Sequence, residues 1–185
     1  MSRARVAILI SGTGSNMAAL LAADIPMDVV LVLSNNPDAS GLQKAEAAGV
    51  ATAVVNHRAF ATREAFDQAL IAKLELLNVD WVCLAGFMRR LTPQFVAAFQ
   101  GRVLNIHPSL LPKYPGLNTY QRALEAGETE VGATVHLVTE DLDAGPILAQ
   151  QAVPVLPDDT IDTLRQKVQA CEHEMPPQTA ALNAS

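Results

Sequence analysis

The residues best suited to chemistry stand at the end of an apolar run. Asn105 and His107 close the run from Val103 to His107, and the prolines that follow it end any strand because proline cannot donate a ladder hydrogen bond. Residues two apart on an extended chain project from the same face. An amide beside an imidazole can stabilise a developing oxyanion and move a proton. The alternative is that Asn105 caps a turn and His107 is a buried structural histidine.

A second candidate site follows the first predicted strand, Val6 to Ile10. The segment from Ser11 to Asn16 contains Gly12 and Gly14 and leads into a helix, so free backbone N–H groups and a positive dipole end meet there. The dinucleotide fingerprint is a poor match, because its third glycine is missing and Ser34-Asn35-Asn36 stands where it requires an acid. The segment favours a phosphate of a smaller molecule. The alternative is a tight turn in which the glycines only supply positive φ.

The elements that must position these residues alternate along the chain. Strands are predicted at 6–10, 28–33, 51–55, 80–84, 103–107, 133–138 and 147–155, and helices at 17–23, 41–48, 63–77, 93–99, 119–126 and from about 161 to about 170. This order predicts an α/β fold, a doubly wound and mostly parallel sheet with helices on both faces and an antiparallel C-terminal edge. Ligands of such sheets bind beyond the carboxyl ends of the strands. The glycine turn, the loop Phe87 to Arg89 and the Asn105/His107 pair should therefore share one rim.

An acidic loop, Thr139 to Pro146, joins the last two predicted strands. Three acids in one loop usually form a solvated turn. Asp143 differs from the other two because it precedes Ala-Gly-Pro, a stretch that can bend back toward the rim. His136, which alternates within the preceding strand, is interpreted as a structural residue.

Composition narrows the classes of function. Of the 185 residues, 50% are hydrophobic and 17% are charged, which excludes a disordered chain, and the net charge of -6 without a basic run argues against nucleic acid or an anionic membrane as partner. Two cysteines make no disulfide framework, and four scattered histidines lack metal-ligand spacing, so no metal is predicted. With no signal peptide and no apolar run long enough to span a bilayer, the expected location is cytoplasmic.

Three motifs, in this order, resemble one family. Ile10 to Asn16, Asn105 to Pro112 and Asp141 to Pro146 are similar to segments of the phosphoribosylglycinamide formyltransferases of purine biosynthesis. The second motif is shared with other folate formyltransferases and with formyltetrahydrofolate hydrolases, whereas the glycine turn is the narrower marker. The resemblance implies a single formyltransferase domain over residues 1–185.

The C-terminal end departs from the family pattern. The resemblance runs to about Glu172-His173, and after about residue 173 the chain is atypically short for the family. Paired prolines at 176 and 177 predict that a helix breaks there.

The resemblance also implies a reaction. The formyl group of 10-formyltetrahydrofolate, the co-substrate, would pass to the amine of 5-phosphoribosylglycinamide, with Asn105, His107 and Asp143 as the catalytic trio. Asn105 would donate to the oxyanion, His107 would move the proton, and Asp143 would favour the imidazolium form of His107. Neither a covalent enzyme intermediate nor a metal is needed, because the two substrates are held adjacent.

By the same matching, two further groups of residues would bind the substrates. Those implied for the ribonucleotide are Gly12, Thr13, Gly14, Ser15, Asn16 and Glu172. Those implied for the folate are Arg63, Met88, Arg89, Arg90, Leu91, Glu140 and Asp141. Arg63 and Arg89 have the alternative of being solvated surface charges. The expected partners are small molecules only, and the expected assembly is a monomer or a homodimer.

Two other functions remain open at this point. A formyltetrahydrofolate hydrolase would use the same trio with water as the acceptor, although the phosphate turn and the lack of an extra N-terminal domain argue against it. A catalytically impaired family member, damaged at its C-terminus, would bind the ribonucleotide or the folate without turnover. A transferase acting on tRNA would call for an additional basic domain.

Overall fold

The computed structural model describes residues 3–183, with side chains described for residues 3–175. Seven strands alternate with helices in the order that the sequence predicts. The strands are β1 (Ala4–Ile10), β2 (Met27–Ser34), β3 (Thr52–Val54), β4 (Trp81–Leu84), β5 (Val103–His107), β6 (Glu130–Leu137) and β7 (Ile147–Pro154). The helices are α1 (Ser15–Ala22), α2 (Gly41–Ala47), α3 (Arg63–Leu76), α4 (Pro93–Ala98), α5 (Thr119–Glu125) and α6 (Ile161–Asn183), with a 3₁₀ turn at His57–Ala59.

The strands form one sheet in the order β3-β2-β1-β4-β5-β6-β7. The first five are parallel to one another, and β6 runs antiparallel to both β5 and β7. The chain therefore begins in the middle of the sheet, winds outward to β3, returns to β4 beside β1 and finishes at the opposite edge. The predicted mostly parallel, doubly wound sheet with an antiparallel C-terminal edge is confirmed.

Apolar side chains cover both faces of the sheet. On one face, Phe66, Leu70 and Leu74 of α3 are fully buried against β1, β2 and β4, because their spacing places them on one stripe of the helix. On the other face, α1 packs over β1 through Met17 and Leu20, and α6 packs over β6. This burial from both sides explains why β1 is a continuous apolar run rather than an alternating one.

A buried carboxylate joins α3 to α4. Asp67, 1% exposed, accepts hydrogen bonds of 2.7 Å from both the backbone N–H and the hydroxyl of Thr92. Thr92 is the N-cap of α4, as Thr62 is of α3. The loop between β4 and α4, which contains the predicted folate residues 88–91, is thus held at its far end by α3.

The last helix differs from the prediction. It does not end near residue 170 or break at the paired prolines, but runs from Ile161 to Asn183. Four of its apolar residues are buried against β6 and its neighbours: Leu164, Val168, Cys171 and Met175. Each proline removes a helical hydrogen bond, but its fixed φ is near the helical value. The turns before the pair are held by this packing, and the helical backbone continues through the pair. Strand β6 also begins earlier than predicted, at Glu130.

Two leucines of α3, Leu70 and Leu76, allow a test of this packing. Leu70 is 0% exposed and Leu76 is 77% exposed. We expect Leu70→Ala to lower the free energy of unfolding by about 3 kcal/mol, because it removes buried methyl groups and leaves a cavity. The matched change Leu76→Ala should lower it by less than about 0.5 kcal/mol. Urea unfolding monitored by circular dichroism measures both, and equal losses would contradict the packing of α3.

Candidate active site

A cleft of about 320 Å³ opens at the carboxyl ends of β4 and β5, where the loop after β4 and the β6–β7 loop face each other. Its size is in the range of small-molecule sites. Asn105, His107 and Asp143 all line it, and so do six of the residues predicted for the folate: Met88, Arg89, Arg90, Leu91, Glu140 and Asp141.

Asn105 and His107 lie on the same face of β5, as their spacing predicts. Leu104, before them, and Ile106, between them, line a separate apolar cavity on the opposite face. His107 is 5% exposed, and its Nδ1 lies 3.5 Å from Oδ2 of Asp143, whose side chain is 8% exposed. The structure therefore brings the predicted trio together at a buried end of the cleft.

The β6–β7 loop carries Asp143 back to β5 through an unusual backbone. Asp143 has a φ of 51°, in the left-handed region, and its Oδ2 accepts a 2.9 Å hydrogen bond from the backbone N–H of Gly116. At Gly145, an added Cβ would stand 1.8 Å from the carbonyl oxygen of Leu137, so only glycine permits this close approach. The prediction that the Ala-Gly-Pro stretch bends toward the rim agrees with this course.

His136 belongs to the site, although its alternation suggested only a structural residue. It pairs with Asn105 across the antiparallel β5–β6 register, and its Nε2 lies 3.2 Å from Nδ2 of Asn105 and 3.7 Å from Oδ1 of Asp143. Burial lowers the pKa of His136, partly offset by its hydrogen bond to Leu137 and by Asp143. The neutral ring donates from Nδ1 to the Leu137 carbonyl at 3.1 Å, so its Nε2 accepts from the Asn105 amide. Only the strand register could have revealed this partnership.

This arrangement supports acid–base chemistry on a carbonyl. The second hydrogen of the Asn105 amide remains available to an oxyanion, because the first is held by His136. The carboxylate of Asp143 stabilises positive charge on His107 at a position from which a proton can be transferred. Hydrogen-bond donors and a proton carrier thus surround the same point of the cleft.

Part of the rim of the cleft is apolar. Met88, Leu117 and Leu142, from three different loops, are each more than half exposed and line the same cleft. Exposed apolar side chains grouped in this way mark an interaction surface or a ligand-binding groove. Leu117 and Leu142 are not among the sequence-predicted residues. Arg63 is one of the residues predicted for the folate, but it is exposed on the first turn of α3 and does not line the cleft.

The glycine turn after β1 lies beside the cleft and forms a second polar region. The backbone N–H of Met88 donates a 2.8 Å hydrogen bond to Oγ of Ser11, so the two loops touch. Gly14 begins α1 with a φ of 68°, and an added Cβ would meet Cε of Met17 at 2.7 Å. The positive φ therefore favours glycine, and the end of the buried Met17 side chain would have to shift to admit a Cβ.

Asn16 and Glu172 meet at this turn, although they are distant in the sequence. Nδ2 of Asn16 donates to Oε2 of Glu172 at 3.3 Å, which brings α6 to the start of α1. Burial raises the pKa of Glu172 to about 7, and the hydrogen bond from Asn16 lowers it in part. Oδ1 of Asn16 is buried and, among the described residues, has no hydrogen-bond partner. The predicted ribonucleotide residues thus gather at one place, with an unsatisfied acceptor among them.

Over the described part of the chain, no group of three His, Cys, Asp or Glu residues is arranged to hold a metal ion. None of the helices within residues 3–183 is long and apolar enough to cross a bilayer.

The fold and the cleft define the class of the protein. It is an α/β domain suited to group transfer, with an Asn–His–Asp centre at the carboxyl ends of parallel strands. The family model of the formyl transferases matches residues 4–180, so the chain belongs to the formyl transferase family. The predicted resemblance is confirmed.

Individual relatives agree. The phosphoribosylglycinamide formyltransferase of Escherichia coli K12 is 48% identical over 93% of this chain and 83% of its own length. The crystal structure of the phosphoribosylglycinamide formyltransferase from Brucella melitensis superposes with a TM-score of 0.94 at 52% identity, covering 100% of this chain and 97% of that one. The trifunctional purine biosynthetic protein adenosine-3 of Drosophila melanogaster is 52% identical over 97% of this chain, which spans only 14% of that protein's length.

The raised pKa of Glu172 gives a stability test. A carboxyl with a higher pKa in the folded than in the unfolded state stabilises the fold at low pH, and this stabilisation is lost as the pH rises from about 4.5 to about 7. We expect Glu172→Gln to match the wild type at pH 4.5 and to exceed it by about 2 kcal/mol at pH 8. Denaturant unfolding at both pH values measures the difference, and a constant offset would contradict the raised pKa.

Proposed function

We propose that the protein transfers the formyl group of 10-formyltetrahydrofolate to the amine of 5-phosphoribosylglycinamide, a step of purine biosynthesis. The observation that carries this proposal is the His107–Asp143 pair beside Asn105, at the base of a cleft that adjoins the glycine turn. One region suits a flat folate ring and the other suits a phosphorylated acceptor. The names of the Escherichia coli and Brucella melitensis relatives support the same activity.

The residues suggest the following course. The amine nitrogen attacks the formyl carbon, and the carbonyl electron pair moves to oxygen, giving a tetrahedral oxyanion that Asn105 and protonated His107 stabilise by hydrogen bonds. The bond between the formyl carbon and the folate nitrogen then breaks as the oxyanion collapses. The proton lost by the attacking amine reaches the departing nitrogen through His107, whose charge Asp143 balances. All atoms are accounted for without a covalent enzyme intermediate.

Positioning of the two substrates would also accelerate the reaction. The backbone around Gly14, Ser15 and Asn16 would hold the phosphate at the start of α1, and Glu172 would receive the ribose. Apolar and basic side chains of the loop after β4 would hold the folate. Because Met88 and Ser11 are joined by a hydrogen bond, the two bound substrates would lie against each other, and their reaction would become effectively unimolecular.

A formyltetrahydrofolate hydrolase is the nearest alternative, since water could replace the amine. A hydrolase has no need of a second polar region. The gathering of Asn16 and Glu172 at the glycine turn, with an unsatisfied Asn16 oxygen, therefore favours transfer over hydrolysis.

A two-substrate assay tests the function directly. The full chain is supplied with 10-formyltetrahydrofolate with and without glycinamide ribonucleotide, and the release of tetrahydrofolate is followed by absorbance. We expect release only when the ribonucleotide is present, with formylated ribonucleotide formed in equal amount. Release without the ribonucleotide would establish the hydrolase, and binding of the ribonucleotide without any turnover would establish an impaired family member.

The charge of Asp143 gives a sharper test of the mechanism. Asp143→Asn keeps an oxygen that can accept from Gly116 but removes the charge beside His107. We expect kcat to fall by about 10² to 10³, with the KM for the ribonucleotide nearly unchanged, because the charge acts in the transition state. Asp158→Asn, which removes an exposed charge from another loop, is the matched control. A kcat within about twofold of the wild type would remove Asp143 from the mechanism.

A further inference from the structure

The segment from Lys113 to Leu117 lies directly against the catalytic pair. Nε2 of His107 is 2.8 Å from the backbone carbonyl oxygen of Tyr114, and the backbone N–H of Gly116 donates to Asp143. Two main-chain groups of one short segment therefore contact both members of the pair. The position of this segment decides how His107 is held.

The contact with the Tyr114 carbonyl determines which nitrogen of the His107 imidazole carries a hydrogen. A carbonyl oxygen can only accept, so the hydrogen at this contact must be on Nε2 of His107. That nitrogen is then occupied, and Nδ1 is the nitrogen that faces Asp143, at 3.5 Å. At 3.5 Å the contact with the carboxylate is longer than a good hydrogen bond, so Asp143 does not fully engage a hydrogen on Nδ1.

The outer side of the segment is held by Glu128, in the turn between α5 and β6. The Tyr114 hydroxyl donates to Oε1 of Glu128 at 2.8 Å, and Nζ of Lys113 reaches Oε2 at 3.1 Å. We name these three side chains the clasp. The Glu128 side chain is 22% exposed and that of Lys113 is 61% exposed, so the contact with Lys113 is open to solvent and the contact with Tyr114 is partly buried. Consistently, the hydrogen bonds from Tyr114 and Lys113 lower the pKa of Glu128.

The backbone of Tyr114 needs such support. Its φ of 54° lies in the left-handed region, which costs about 1 kcal/mol for a residue with a side chain. This conformation persists only when the surroundings hold it. Arg122 adds a second hold, with its guanidinium 5.2 Å from the Tyr114 ring and a hydrogen bond to the carbonyl of Pro115.

We propose that Glu128, acting through Tyr114, is a positioning residue for the formyl transfer. The clasp holds the Tyr114 carbonyl on Nε2 of His107 and thereby leaves Nδ1, the nitrogen beside Asp143, as the one that acts in the reaction. This inference rests on the proposed function. Glu128 touches neither substrate, and its effect on the reaction passes entirely through the orientation of the imidazole.

Kinetics of four variants test the proposal. Glu128→Ala and Tyr114→Phe each remove the hydroxyl–carboxylate hydrogen bond, and we expect each to lower kcat by about tenfold with KM values changed by less than about twofold, as for other groups that orient a reacting histidine. Glu128→Gln should retain most of the activity, because its amide oxygen still accepts from the Tyr114 hydroxyl. The double variant Glu128→Ala with Tyr114→Phe should lose no more than either single variant.

The matched control is Glu125→Ala, which removes an exposed carboxylate from the end of α5 and should leave kcat unchanged. A kcat of Glu128→Ala within about twofold of the wild type, or an equal loss in Glu128→Gln and Glu128→Ala, would overturn the proposal.

A measurement on the free protein separates this inference from the proposed function. Nitrogen-15 NMR of the ring of His107 should show a proton on Nε2 in the wild type and in Glu128→Gln, and a smaller fraction of that form in Glu128→Ala. An unchanged His107 signal in Glu128→Ala would overturn the inference even if formyl transfer occurs. A changed His107 signal in Glu128→Ala would support the orientation of His107 by Glu128 even if the two-substrate assay failed.

Discussion

The close contact between His107 and Asp143 is the constraint on which the rest of the site depends. Its two members come from different parts of the sheet: His107 ends β5, and Asp143 stands in the loop between β6 and β7. Both side chains are almost fully buried, so a positive charge on His107 interacts with the Asp143 carboxylate with little screening by water. A buried pair of this kind is stable only when its remaining polar atoms are also satisfied.

Backbone groups meet part of that requirement. The Tyr114 carbonyl accepts from Nε2 of His107, and the Gly116 N–H donates to Oδ2 of Asp143, the oxygen that faces His107. Both groups lie in the proline-rich segment after β5, which cannot continue as a strand and therefore crosses over the end of the sheet. The prolines that end the strand thus also place two main-chain groups where the pair needs them. His136 extends the same network to Asn105, so the amide and the imidazole are fixed relative to each other.

The sheet topology explains why two substrates can meet here. Strands β1, β4 and β5 are neighbours, so the loops that follow them lie side by side although they are far apart in the sequence. The hydrogen bond between Met88 and Ser11 joins two of these loops, and the third follows His107 at the end of β5. Helix α6 then crosses to α1 and adds Glu172 to the glycine turn. Membership in the formyl transferase family agrees with a site built on these three strand ends.

Much of this could be predicted from the sequence, because it depends on local pattern. The apolar runs and caps predicted the strands and helices, the alternation predicted the parallel sheet, and the spacing of Asn105 and His107 placed them on one face. What the sequence could not decide are contacts that depend on register and packing. The role of His136 follows from the β5–β6 register, the contact of Glu172 with Asn16 from the docking of α6, and the clasp of Glu128 from the path of a loop held in a strained conformation. The continuation of α6 through its prolines is likewise opposed to the local propensity, and the helix is anchored by burial of the turns that precede them.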